Sequence, residues 1–243
     1  MKLTNIIIFL IIVLCVAFAV FQFNGLEFLS ISSKSLIVPL FTLLYFINVR
    51  DKPTFFTLFL LTFSITELSV FAEYATDNYG QIKFDLVYIL GNILYIIAYC
   101  FLIAEVFKTI NVRKVLKKYL LQIIVLMALN IYIAYMLIAI VNPKFMAKSH
   151  YLISIELLYN VVMLLLLMVS LISYFYNDNK KTLLVFLGSI CIVFSEVIQI
   201  AYFYITDHDM LNILQTLLFV VAFAFFYFHS TVKNRKVQLF MLH

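Results

Sequence analysis

The chain alternates long apolar runs with short polar interruptions. Each run approaches the ~20 residues that carry an α-helix across a ~30 Å hydrocarbon layer. The pattern predicts eight membrane-spanning helices, at about 3–21, 29–48, 54–72, 84–107, 119–142, 151–175, 182–205 and 210–229. The linkers between them are short, as between antiparallel neighbours. The first run follows Lys2 in the manner of a signal peptide, but no clear small-residue cleavage site comes after it, so it is read as a span. The second reaches full length only if it begins before Lys34, which then lies inside the helix or snorkels from it. Pro39 is expected to kink this span.

Composition agrees with the pattern. Apolar residues make up 65% of the chain and charged residues 12%, with a mean hydropathy of +1.10. Soluble domains are about 45–50% apolar and about 25% charged. The fold class is therefore an all-α polytopic membrane protein, and residues 1–243 form one integral membrane domain. The net charge of +5 would suggest nucleic acid in a soluble chain; here it reads as loop charge, and no nucleic-acid partner is expected.

Eight spans place Lys2, Arg50, Lys52, Lys108, Arg113, Lys114, Lys117, Lys118, Lys180, Lys181, Lys233, Arg235 and Lys236 on the side of the N-terminus. That is thirteen of the seventeen basic residues, against Lys34, Lys83, Lys144 and Lys148 on the other side. By the positive-inside rule both termini are expected in the cytoplasm, the membrane being the plasma (inner) membrane. The run Arg113 to Lys118 is expected to be a cytoplasmic loop against anionic headgroups.

Against this background the intramembrane carboxylates stand out. Phe194-Ser195-Glu196 to Asp207 repeats the plan of Phe63-Ser64-Ile65-Thr66-Glu67 to Asp77. The exits match, Tyr74-Ala75-Thr76-Asp77 and Tyr204-Ile205-Thr206-Asp207, and the following helices match loosely. The pattern predicts a 4+4 internal repeat that brings two glutamates to similar depth. A charged acid at a helix centre costs at least ~2.5 kcal/mol, so it calls for a reason. At ~1.5 Å per residue, Lys34, Glu67, Glu156 and Glu196 all fall roughly 7–14 Å below the outer boundary. A shared polar cavity in that leaflet would also explain Asn92, Tyr95, Tyr99, Gln199 and Gln215. Two carboxylates in a poorly hydrated site cannot both ionise cheaply, and Lys34 nearby would hold one of them ionised. One protonated acid beside one ionised base is what acid–base hydrolysis requires.

Other chemistry is not encoded. Cys15, Cys100 and Cys191 have no paired spacing and are expected to be small buried hydrophobes. His150, His208, His229 and His243 fall at span ends or tails and form no ligand pattern; of these, the outer pair His150 and His208 is the one kept for function. Glu105 lies near the cytoplasmic end, beside Lys108. There is no Gly-rich phosphate loop, GxSxG or HExxH. No metal and no cofactor is expected.

The polar residues resemble the pattern of the YhhN-like lysoplasmalogenase family of multi-span membrane proteins. Gly188-Ser189-Ile190-Cys191-Ile192-Val193-Phe194-Ser195-Glu196 looks like the family's glycine, apolar run, then Ser-Asp, and Gln215 matches a Gln early in the last helix. Lys34-Ser35-Leu36 looks like Lys-Pro-Leu, Thr66-Glu67 stands where the family has Gly-Asp, and Gly91 to Tyr99 looks like its Gly…Phe…His stretch. Both family aspartates are glutamates here, and the Pro, Gly and His are Ser35, Thr66 and Tyr99. The resemblance implies an eight-span fold and hydrolysis of the vinyl ether bond of a lysoplasmalogen. Glu67 and Glu196 would be the catalytic pair, with Lys34, Asn92, Tyr95, Tyr99, Glu156 and Gln215 around an amphiphilic lipid drawn from the bilayer. The acid and base roles stay open between Glu67 and Glu196. A non-catalytic amphiphile-binding or transport protein, or a structural or sensory one, is the competing expectation.

Overall fold

In a computed structural model, residues 3–76, 81–145 and 150–232 are described, without the side chains of 73–88, 138 and 141–153. The described residues form nine α-helices: α1 Leu3–Phe23, α2 Glu27–Ser35, α3 Ile37–Asn48, α4 Thr54–Thr76, α5 Gln81–Phe107, α6 Val112–Phe145, α7 His150–Asn177, α8 Lys180–Tyr204 and α9 Asp209–Thr231. Taken together, α2 and α3 form one apolar span, so eight helical units are long and apolar enough to cross a membrane. The protein is an all-α integral membrane protein, as its hydrophobic pattern requires. Lys2, Asp77, Lys148, Lys233, Arg235, Lys236 and His243, and the side chains of Glu73, Lys83, Asp85, Lys144 and His150, lie outside the described residues.

Two expectations need correction. The second span is not one kinked helix: it stops at Ser35 and resumes at Ile37, with Leu36 between them. Pro39 has no N–H for the Ser35 carbonyl four residues back, and its ring crowds that oxygen. The run Arg113 to Lys118 is helical rather than a loop, because α6 already begins at Val112. The helix bends at Tyr119 (φ −120°, ψ 23°), where the predicted span starts. Val115 is buried on this first stretch while Arg113, Lys114, Lys117 and Lys118 stay exposed.

Helix α1 ends in a glycine cap. Gly25 takes φ +68°, a left-handed conformation that suits a residue without Cβ. The Leu26 amide then reaches Phe21 O at 3.0 Å, and the Gly25 amide reaches Gln22 O at 3.1 Å. These are the paired bonds of a Schellman motif. At this end Gln22 ties three helices together: its Nε2 donates to Asp209 Oδ1 (2.7 Å), and its Oε1 accepts from Ser30 Oγ and Asn212 Nδ2 (both 2.9 Å). At the opposite end Thr4 Oγ1 donates to Asn48 Oδ1 (2.9 Å), and Asn48 Nδ2 donates to Tyr227 OH (3.0 Å). Helix α1 is thus pinned at both ends, although most of its side chains face outward.

The core is aromatic. Phe59, Phe63, Phe223 and Phe226 are almost fully buried. Phe223 lies 4.8 Å from Phe63, 5.0 Å from Phe219 and 5.8 Å from Phe226 between ring centroids. Edge-to-face and tilted pairs at such separations stabilise beyond the area they bury. Gly188 on α8 lets α9 come close: a Cβ there would stand 2.5 Å from Phe226 Cε1. The cysteines depart from expectation, since Cys15 and Cys191 are half-buried and Cys100 is exposed on the bundle surface.

Candidate functional site

The break between α2 and α3 places Lys34 in the last turn of α2, facing the first turns of α9. Its ammonium donates to Gln215 Oε1 at 2.8 Å and lies 5.8 Å from the Phe219 ring centre. Gln215 is itself held in place. Its Nε2 donates to Ser195 Oγ (3.1 Å), Ser195 Oγ donates to the Gln215 carbonyl (3.0 Å), and Thr216 Oγ1 donates to Gln215 Oε1 (3.1 Å). One buried amide therefore joins the lysine of α2 to the serine that precedes Glu196 on α8.

Glu67 is 5% exposed and accepts from Tyr95 OH at 2.9 Å. Tyr159 on α7 stands close to Glu196. Both carboxylates lie within electrostatic reach of Lys34 and of each other, and Glu156 reaches Glu196 in the same way. Lys34 does not form an ion pair at 4.0 Å or less with either acid. Its bonded partner is a neutral amide, and it acts on the two acids through space.

Helix α5 contributes Tyr95 and Tyr99, one turn apart on one face. The Tyr99 ring is fully buried, 5.7 Å from Phe63 and 5.9 Å from Tyr159 between centroids. Its hydroxyl stands near Tyr159 and Glu196 without a well-formed hydrogen bond. Asn92 lies one turn before Tyr95 and is half-buried, and Gln199 lies one turn after Glu196, also half-buried. Lys34, Glu67, Tyr95, Tyr99, Glu156, Glu196 and Gln215, predicted from separate helices, thus gather in one cluster.

Sequence reasoning missed Tyr159, Ser195 and Thr216. Tyr159 was detectable, since it follows Glu156 by three residues and so shares its helix face. Ser195 stood out only as the residue before Glu196 in the repeat and the family-like motif, and Thr216 is a common residue in an apolar helix that gave no signal of its own. The described residues hold no group of three or more His, Cys, Asp or Glu suited to a metal ion.

An apolar groove of about 360 Å³ runs between α1 and α9, lined among others by Cys15, Phe18, Phe23, Leu217 and Val220. Thr216 also lines it, and Thr216 is bonded to the amide that carries Lys34. The groove thus runs along the flank of the polar cluster. The fold and the cluster define a polytopic helical membrane protein with a partly buried carboxylate–lysine–phenol cluster. No protein-family model, curated protein or solved structure matches the chain.

Proposed function

We propose that the protein is a membrane-embedded hydrolase of an ether-linked lysolipid, a divergent member of the lysoplasmalogenase-like family its sequence resembles. The observation that carries this reading is the gathering of two carboxylates, buried Glu67 and half-buried Glu196, each beside a phenol, around one lysine bonded to a neutral amide. A vinyl ether is hydrolysed by protonation of its β-carbon, which leaves an oxocarbenium ion. Water adds to that cation, gives up a proton, and the hemiacetal collapses to an aldehyde and the free glycerol hydroxyl. A protonated glutamate would donate the first proton; the ionised one would stabilise the cation and take the proton from water. Lys34 favours one ionised carboxylate over two neutral ones. Paired hydrolytic carboxyl groups elsewhere work across about 5–9.5 Å.

The α1–α9 groove supports an amphiphile drawn sideways from the bilayer, its chain along apolar side chains and its polar end toward Lys34. In this reading the termini are cytoplasmic, in the plasma (inner) membrane, and the site opens toward the outer leaflet, as the charge bias favours. The test uses purified protein and a micellar 1-alkenyl-lysophospholipid, with aldehyde release as the readout. Glu67→Gln and Glu196→Gln each abolish turnover in protein that stays folded. A folded single variant with full activity overturns the proposal.

One observation favours a second reading, transport. Discontinuous helices flank the binding sites of many transporters, and α2 breaks from α3 beside Lys34. Accumulation of unchanged amphiphile in sealed vesicles, without aldehyde, would select it.

A further inference from the structure

A second polar cavity, of about 390 Å³, opens at the other end of the bundle, where α5, α7 and α9 finish and α8 begins. It is separate from the carboxylate cluster: buried Leu102 on α5 and buried Met163 on α7 intervene along their helices. Its size falls within the range of small-ligand sites.

Its charges are only partly matched among themselves. Glu105 Oε2 is buried and accepts no hydrogen bond. It forms a long ion pair with Lys108 Nζ at 3.5 Å, and Lys108 is half-exposed and also leans on the Phe55 ring at 4.1 Å. Lys181 lines the cavity and forms no ion pair among the described residues. His229 Nδ1 lies 3.0 Å from the Lys181 carbonyl oxygen, which can only accept. The Nδ1–H is therefore the donor, and in the neutral ring Nε2 is left as an acceptor. The wall between these groups is prebuilt, because Asn177 Nδ2 donates to Thr109 O (3.3 Å) and Ser173 O (3.1 Å).

An acceptor in need of a donor and an ammonium in need of an anion face one cavity. We propose that this cavity binds a zwitterion carrying a primary ammonium and a phosphate. The ligand's ammonium goes to Glu105 and His229 Nε2, and its phosphate goes to Lys181 with Lys108 closing over the open side. Either a free amino-phosphate or the headgroup of a lipid in the adjoining leaflet supplies that chemistry.

The test is calorimetric titration of the full chain in detergent with phosphoethanolamine, with inorganic phosphate and ethanolamine as its two halves. The expected result is saturable binding of phosphoethanolamine at least about tenfold tighter than either half, roughly 1.4 kcal/mol. Lys181→Ala and Glu105→Gln should each weaken it by about tenfold or more. Binding no tighter than phosphate alone overturns the proposal, as does full affinity in folded Glu105→Gln protein. If either variant fails to fold, the comparison of whole ligand with halves on the unaltered chain decides. Repeating the titration in nanodiscs distinguishes the source: phosphatidylethanolamine discs that suppress binding, where phosphatidylcholine discs do not, identify a lipid headgroup. Binding equal in both discs identifies a soluble ligand.

Discussion

Lys34 gives its hydrogen bond to Gln215 Oε1 at 2.8 Å and not to a carboxylate. The lysine is thereby fixed by a neutral group while its charge acts on Glu67 and Glu196 together. A direct ion pair with one acid would commit the charge to that acid. An amide tether leaves that charge shared between the two glutamates.

Lys34→Met removes that charge while keeping the length of the side chain. Turnover of the alkenyl lysolipid should fall at least about 100-fold, the scale of a lost acid–base partner. The Gln215 amide keeps its bonds to Ser195 and Thr216, so the variant should still purify as a monodisperse species by size-exclusion chromatography. Full activity in Lys34→Met would remove the lysine from the mechanism.

Tyr95→Phe deletes the phenol bonded to Glu67, and Tyr159→Phe deletes the phenol that stands beside Glu196. A hydrogen bond to a charged group contributes about 1.5–3 kcal/mol. If the acids act in the transition state, kcat should fall about tenfold or more in each variant while KM moves little. Equal losses in kcat and thermal stability, with identical kinetics per folded molecule, would make the phenols structural only.

Val220→Trp fills the α1–α9 groove from the α9 side. Turnover of a long-chain substrate should drop several-fold more than that of a short-chain analogue, because only the long chain needs the groove. Comparing kcat/KM for the two chain lengths checks this. A uniform loss across lengths would mean that the substrate reaches the site by another path.

Glycine replacements should separate packing from backbone effects. Gly188→Ala drives a methyl against Phe226, whose ring is held by Phe59 at 5.5 Å and Phe223 at 5.8 Å. It should cost about 1–3 kcal/mol, as overpacking does. Gly91→Ala meets nothing within 4 Å inside a helix and should be neutral or stabilising by about 0.5–1 kcal/mol. Thermal unfolding in one detergent gives both values.

The spans were legible because twenty-residue apolar runs leave the backbone no alternative to helix in a bilayer. The cluster was legible for the same reason: Lys34, Glu67 and Glu196 are costly in lipid and so stand out. What escaped the sequence was the orientation of cheaper groups. Tyr159 is one of sixteen tyrosines, and only its packing against Tyr99 and Glu196 distinguishes it. The break after Ser35 was half-read. Pro39 announced a disturbance, but whether a helix bends or stops depends on what its neighbours tolerate at the freed carbonyl. The Val112–Lys118 helix was missed because its basic residues read as an interspan loop, although Val112, Val115, Leu116 and Tyr119 fall at helical spacing.

That break has an electrostatic consequence. In an uninterrupted span the peptide dipoles cancel head to tail through the interior, and partial charge remains only at the membrane surfaces. Ending α2 at Ser35 puts a helix C-terminus inside the bundle, with unsatisfied carbonyls equivalent to roughly half a negative charge. Lys34 sits in that last turn. The carbonyl end of α2 favours the ammonium without using either glutamate, and the amide end of α3 one residue later offsets part of that field. Pro39 then matters less as a kink than as the residue that leaves a pair of unlike helix ends facing each other inside the span.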